Sequence, residues 1–291
     1  MNHPPNADWH EQTCNTITEW ENMFGIKVLE WVYYGSRSSG IVHKCSTWCV
    51  DFLFTDPMQR SCFDTSFLIT KKYKDGLGLD FNGVCQDKHF TYQDFRGRNI
   101  QYVLECMKDY SELFYNTPED SRIELAKANE QMLFNAYILY IHRGSPLVYD
   151  RSEYFNRVSV ALDELFDPKL THHFYIYLIE KNKPILYSGE FPKLHSYLYT
   201  LRALFGGLWV IKYKTHPPSD MARLLDGLEE DRIKSYTTTL LKFYATFRDK
   251  EYKMPRDIRL DTYIDETQKS ISGRQLNGKA PITNKQLARL V

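Results

Sequence analysis

The stretch "VYYGSRSSGIVHKCSTWCVDFLFTD", residues 32–56, has the outline of a strand-turn-strand that holds metal ions. An apolar run from Val28 to Tyr34 enters Gly35, Ser36 and Arg37, a polar loop follows, and a second apolar run from Cys49 to Thr55 carries one acid, Asp51. Two carboxylates at i and i+2 on a strand would share a face and could hold a pair of Mg²⁺ ions. Here the position two before Asp51 is Cys49, and a lone carboxylate is a poor metal site. Other residues offer different chemistry. His43, Cys45, Cys49 and His89 supply four zinc-type donors, although their spacing matches no compact zinc motif. Cys49 with His89 is a conceivable nucleophile and base. Lys193, Tyr197 and Arg202 fall near one helical face and could meet phosphates, or else form a solvated stripe over a core helix. The run "THHFYIY" at 171–177 reads as core and surface residues of a helix.

The elements that must position these residues change character once along the chain. Periodicity predicts an amphipathic helix over 12–24, with Ile17, Trp20 and Phe24 on one face. Four β-type runs follow, "KVLEWVYYG", "CVDFLFTD", "TSFLITKKY" and "KHFTYQDF", rich in β-branched and aromatic residues and separated by turn-forming ones. From Asp94 onward apolar residues recur at three- and four-residue intervals, and nearly everything reads as helix. The expected fold is α+β: a small mixed-sheet head over 1–110, a larger helical domain over 111–250, and a C-terminal extension over 251–291.

At 291 residues, 43% hydrophobic and 25% charged, the chain suits one large or two modest globular domains, not a disordered polymer. Its formal net charge is zero, so any pull on nucleic acid must come from local asymmetry. Such asymmetry exists after Glu266, where Lys269, Arg274, Lys279, Lys285 and Arg289 follow with no acid. That segment reads as a basic, weakly structured tail, suited to contact RNA by neutralising phosphates or simply to keep the chain soluble. There is no export signal and no apolar run long enough to span a bilayer, and six irregularly scattered cysteines fit free thiols in a reducing cytoplasm. The 21 tyrosines and 17 phenylalanines could stack on bases, but with abundant Lys and Asn they also fit an A+T-rich genome.

Taken together, "GSRSSG" at 35–40, "KHFTYQDFRGR" at 88–98, "GSPLVYD" at 144–150, "KLHSYLYTLRALFGGLWV" at 193–210 and "HPP" at 216–218 resemble, in order, the motifs of predicted nucleotidyltransferases of the DNA polymerase β superfamily. Within that superfamily the likeness is to the bacterial and phage RNA-repair-pathway type, and it covers about residues 27–228. It implies that Gly35 turns the backbone tightly beside a triphosphate, that Ser36, Arg37 and neighbouring N–H groups bind phosphate oxygens, and that carboxylates hold two Mg²⁺ ions. Lys193, Tyr197 and Arg202 are the implied phosphate contacts from the helical domain. At the catalytic positions this chain departs from the pattern. The acidic pair falls on Cys49 and Asp51 if the loop carries a two-residue insertion, or on Thr47 and Cys49 if it does not. The third carboxylate position falls on His89. Cys and His are poor Mg²⁺ ligands.

Three readings follow. The first is a catalytically inactive nucleotidyltransferase fold that binds structured RNA, such as tRNA or ribosomal RNA on the ribosome, in the cytoplasm, with no resident cofactor and no membrane partner. By family analogy and composition it would be a phage factor acting on host translation machinery. The second is a working enzyme using Mg²⁺ and a nucleoside triphosphate, with Asp51 and one of Asp80, Asp87 or Asp94 as metal ligands. The third is a protein-binding antitoxin-like or decoy module.

Overall fold

The computed structural model describes residues 7–43, 46, 49–59, 66–74, 90–145, 148–150, 154–247 and 251–290. His89, Cys45, Thr47, Asp80 and Asp87 lie outside the described residues.

Helix α1 (Ala7–Phe24) opens the chain and is longer than its apolar stripe suggests. Strands β1 (Lys27–Tyr34), β2 (Cys49–Thr55), β3 (Ser66–Lys74) and β4 (Phe90–Asn99) follow the four β-type runs. The sheet has a fifth strand, β5 (Val148–Asp150), and the order β3-β4-β2-β1-β5. β2 and β4 are parallel, and the other pairs are antiparallel. The expectation of helix from Asp94 is corrected here. Residues 94–99 complete β4 because 94–98 pair with strands on both sides, and helix α2 (Ile100–Asn116) starts only where the Asn99 side chain accepts the Gln101 N–H. The α+β class stands, and the helical part lends β5 to the head's sheet.

The two faces of the sheet are built differently. Val50, Phe52, Phe54 and Phe95 meet Ile17 and Trp20 of α1, with Trp31 and Tyr33 beside them. Leu53, one step out of phase, joins the core made with α2. A break in the β1–β2 register between Val28 and Glu30 lets β1 depart from strict alternation. Val28 and Trp31 remain on the α1 side, while Leu29 enters the core with α2 and Glu30 points toward the same helical layer. A bulge re-aims side chains in this way.

After a 3-10 turn at Glu119–Ser121 come α3 (Arg122–Ala128) and α4 (Glu130–Gly144), then β5, α5 (Tyr154–Leu165) and α6 (Pro168–Leu186). Helix α7 (Leu194–Tyr213) packs against α6, and its Gly-Gly pair makes this possible: a Cβ on Gly206 would stand 2.2 Å from the Tyr175 ring. Then follow α8 (Met221–Asp226), α9 (Asp231–Tyr244), α10 (Ile258–Ser272) and α11 (Asn284–Leu287). One core joins α2, α4, α5 and α6, with Leu29 and Leu53 of the sheet in it, and a second joins α7 to α10. No helix among the described residues is long and apolar enough to cross a membrane.

The weakly structured tail is a second correction. Lys269 lies in α10, whose Leu260, Ile264 and Ile271 are buried. Beyond it the chain runs back across α2: the Ile282 N–H donates to Ser111 Oγ at 3.1 Å, Thr283 and Gln286 form a reciprocal cap on α11, and Leu287 and Leu290 enter the first core. Composition suggested a free tail, but Leu276, Ile282, Leu287 and Leu290 are enough apolar anchors to hold it.

Candidate active site

The Gly35–Gly40 turn is stitched from within. Gly35 (φ +78°) and Gly40 (φ +73°) adopt the left-handed backbone, Ser39 N–H donates to Gly35 C=O at 3.0 Å, and Ile41 N–H to Ser36 C=O at 3.0 Å. The Ser38 and Ser39 hydroxyls donate to the carbonyls of Gly35 and Ser36. None of these bonds uses the N–H groups of Ser36, Arg37 and Ser38. The helical part closes on the turn from the far side: Met221 N–H donates to Ser39 C=O at 2.9 Å, and a Cβ on Gly40 would meet Asp220 Oδ1 at 2.7 Å. Cys49 stands against Gly35, whose added Cβ would lie 3.8 Å from its Sγ. Arg37 donates from Nε to the Ser46 carbonyl at 2.8 Å, and burial holds its guanidinium below its usual value, with Cys49 working the other way.

Two residues beyond Cys49, Asp51 is 1% exposed and fully engaged. Arg98 of β4 donates from Nε to both carboxylate oxygens, at 3.1 and 3.2 Å, and from Nη1 to Asn135 Oδ1 of α4. His142, in the last turn of α4, places Nε2 3.3 Å from Asp51 Oδ1, while its Nδ1 lies 2.8 Å from Glu30 Oε1. The bulge in β1 is what brings Glu30 there. Burial alone would raise the Asp51 pKa, but Arg98, then His142 and Arg96, overcome it and hold the carboxyl below its usual range. Burial likewise opposes charge on His142, yet its bonds to Asp51 and Glu30 win and lift it to about 9. His142 is therefore an imidazolium between two carboxylates at neutral pH.

These residues do not fit a divalent cation. Asp51 already faces Arg98 and the His142 imidazolium, with Arg96 close enough to add to its field, and a metal ion would have to displace or stand against those charges. Glu30, His142 and Asp51 form a chain rather than a ring of donors around one point, and no metal-holding group of three acidic, His or Cys side chains occurs among the described residues. Asp94, described in its backbone alone, is paired with Cys49 in the β2–β4 register.

The other expected site residues scatter. Tyr197 is fully buried and donates its hydroxyl to Asp261 at 2.8 Å, so its place as a phosphate contact is corrected to a core position between α7 and α10. Lys193 pairs with Glu251. Arg202 alone of the three comes near the turn, donating to the Ser219 carbonyl at 3.0 Å just before α8. Its neighbour Tyr199, which motif spacing does not single out, has a phenol raised by burial with Arg202, Ser39 and Cys49 around it. His43 packs edge-on against Tyr244, 5.4 Å between ring centroids. With Cys45 and His89 outside the described residues, the described donors assemble no zinc-type set. Cys49 is a free thiol, as are Cys14 and Cys106. His172 and His173 are core residues held neutral, burial lowering both to about 4. In the C-terminal segment Lys279 donates from its backbone to Asp167 and from Nζ to the Glu164 carbonyl, and Arg289 pairs with Glu164.

The sequence profile of RlaP, the RNA repair pathway DNA polymerase beta family, matches residues 102–286. The chain belongs to this family. The RlaP match lies on the helical part and the C-terminal segment, taking in Lys269, Arg274, Lys279 and Lys285, and begins just after β4. A curated relative, the uncharacterized protein YcgL of Bacillus subtilis (strain 168), is 31% identical over 226 residues, covering 76% of this chain and 71% of YcgL. Membership establishes the nucleotidyltransferase-like relationship anticipated from the ordered motifs. Glu30, Arg98, Asn135 and His142 are the site residues that sequence reasoning missed. The available signal was polar residues inside apolar runs, Glu30 in "KVLEWVYY" and His142 in "LYIH", since a buried polar group must find a partner.

Proposed function

We propose that this RlaP-family chain has set aside metal-dependent nucleotidyl transfer and acts by binding structured RNA, tRNA or ribosomal RNA, in the cytoplasm. The observation that carries the reading is the engagement of Asp51: the acid on the catalytic strand is tied by Arg98 and the His142 imidazolium, and Cys49 takes the position two residues before it. The Gly35–Gly40 turn, its Ser36 and Arg37, and Arg202 nearby keep the donors that phosphate contacts require. The test is incubation of the full chain with labelled nucleoside triphosphates and RNA in Mg²⁺ or Mn²⁺, alongside crosslinking to RNA in cells. The expected result is no incorporation above background, an RNA-bound fraction, and weaker RNA binding when Ser36→Ala and Arg37→Ala are combined. Robust transfer abolished by Asp51→Asn would overturn it.

The register opposite Cys49 gives a second reading one observation in its favour, because Asp94 stands where a strand neighbour could supply another carboxylate to a working transferase. Incorporation lost in Asp94→Asn would establish that reading.

A further inference from the structure

Beside the Asp51 cluster lies a pocket of about 440 Å³, lined by Arg96, Arg98, Glu130, Gln131, Phe134 and Asn135. Its floor is built rather than incidental, since Arg98 and Asn135 are both more than nine-tenths buried and bonded to one another. Arg96 and Arg98 are the guanidiniums that line it, and Arg98 is bonded to Asp51 behind the floor. Glu130 at the rim is matched by Lys181. Arg96 is the uncommitted member: it lies half-buried over the Tyr34 ring, 5.4 Å from its centroid, and makes no ion pair among the described residues. A partly buried guanidinium facing a cavity, with amide groups of Gln131 and Asn135 on the wall, is suited to an anion with several acceptor oxygens. The half-buried Phe134 ring and a volume in the range of small-ligand sites leave room for a base and sugar.

We infer that this pocket binds a phosphate-bearing ligand, a nucleotide or an RNA terminal phosphate, through Arg96 and Arg98 and without a divalent metal. The inference deepens the proposed function by placing phosphate recognition on β4 and α4. It rests on that reading only for the engagement of Asp51, not for RNA binding or inactivity. Arg98 neutralises Asp51 where the family's chemistry would place a metal ion, and Arg96 is offered to the ligand directly.

The experiment is calorimetric titration of the full-length chain in EDTA with inorganic phosphate, adenosine monophosphate, a short 5′-phosphorylated oligoribonucleotide, and succinate as a carboxylate control. Saturable binding of a phosphate compound is expected, with succinate weaker. Arg96→Ala should weaken binding about tenfold or more, and Arg96→Lys should recover part of the loss. Arg96 supports no ion pair among the described residues, so the alanine variant is expected to keep its circular dichroism and melting profile. Gln131→Ala, at an exposed position, gives a second reading of the pocket should it not. Preference for the monophosphate marks a nucleotide site, and preference for the oligonucleotide marks an RNA end. No phosphate binding in EDTA, binding that appears only with Mg²⁺, equal binding of succinate, or binding unchanged in both Arg96→Ala and Gln131→Ala would overturn the inference. Nucleotide incorporation in the transfer assay would instead overturn inactivity and leave this result standing.

Discussion

In the C-terminal segment, Lys279 and Arg289 end on Glu164 and Asp167 at the junction of α5 and α6, and near them Leu287 and Leu290 are buried and Leu276 and Ile282 half-buried. At β4, Arg98 is committed to Asp51 and Asn135, while Arg96 two residues earlier lies over an aromatic face at the mouth of a pocket and makes no ion pair among the described residues. The two regions spend positive charge in opposite ways. In the first, cations near one another in sequence help pin a segment to the body of the protein. In the second, Arg98 is tied to a buried carboxylate, and Arg96 makes no ion pair among the described residues. A run of basic residues therefore says little about ligand binding until the groups that fold back onto it are known, and an inconspicuous pair of arginines can line a pocket.

The sharpest way to break this contrast is to remove Arg98. Arg98→Ala leaves Asp51 buried with one cation fewer, and stability should fall by about 3–5 kcal/mol in urea unfolding. Replacing the pair together, Arg98→Met with Asp51→Leu, should cost much less, because no charge is stranded. A double variant as unstable as the single one would show that packing, not charge, governs the site.

The next effect is pH dependence. His142 has its pKa raised from 6.5 to about 9, so the folded state holds a proton that the unfolded state releases. Its contribution is complete below pH 6.5 and is lost as pH rises through 9, about 3 kcal/mol in all from the shift alone. His172 and His173 act with the opposite sign: lowered to about 4, they stabilise above pH 6.5 and lose that contribution as pH falls toward 4. Stability measured across pH should peak near 6.5, and His142→Gln should flatten the alkaline limb while leaving the acid limb in place. An unaltered alkaline limb would remove His142 from the account.

For the C-terminal segment, Leu290→Ala should cost about 2 kcal/mol, the low end for a buried leucine near a chain end. A cost near zero would restore the picture of a loosely held tail. Smallest of all, Arg289→Ala removes an ion pair more than half exposed on both sides and should change stability by less than about 1 kcal/mol. A larger loss would mean that this pair fixes the segment more than the leucines do.

Much of the fold is legible from local pattern. β1 and β2 carry five or more consecutive buried residues each, and helices α4 to α9 follow the apolar spacing closely. What escapes is non-local. β5 is three residues long, too short for alternation to register, and exists because β1 offers it an edge. The end of β4 reads as helix because "DFRGRN" contains no β-branched residue, and only its two neighbouring strands make it extended. At the site, Asp51 and Cys49 stand out by spacing, whereas their partners come from positions 30, 98, 135 and 142, which no local period connects. The position of Tyr197 on α7 suits a core and a surface reading equally, and only the approach of α10 decides between them.

β5 has a consequence for how the protein is made. Val32 of β1 pairs with Val148, so the head's edge is covered by residues synthesised more than a hundred positions later. Until β5 emerges from the ribosome, β1 presents bare N–H and C=O groups along an apolar strand, the kind of edge that recruits other chains. Closing it requires α2 to α4 to be in place first, a slow, long-range step. A fragment ending near residue 110 would keep that edge permanently open and should self-associate, whereas one that reaches past Asp150 carries its own cover.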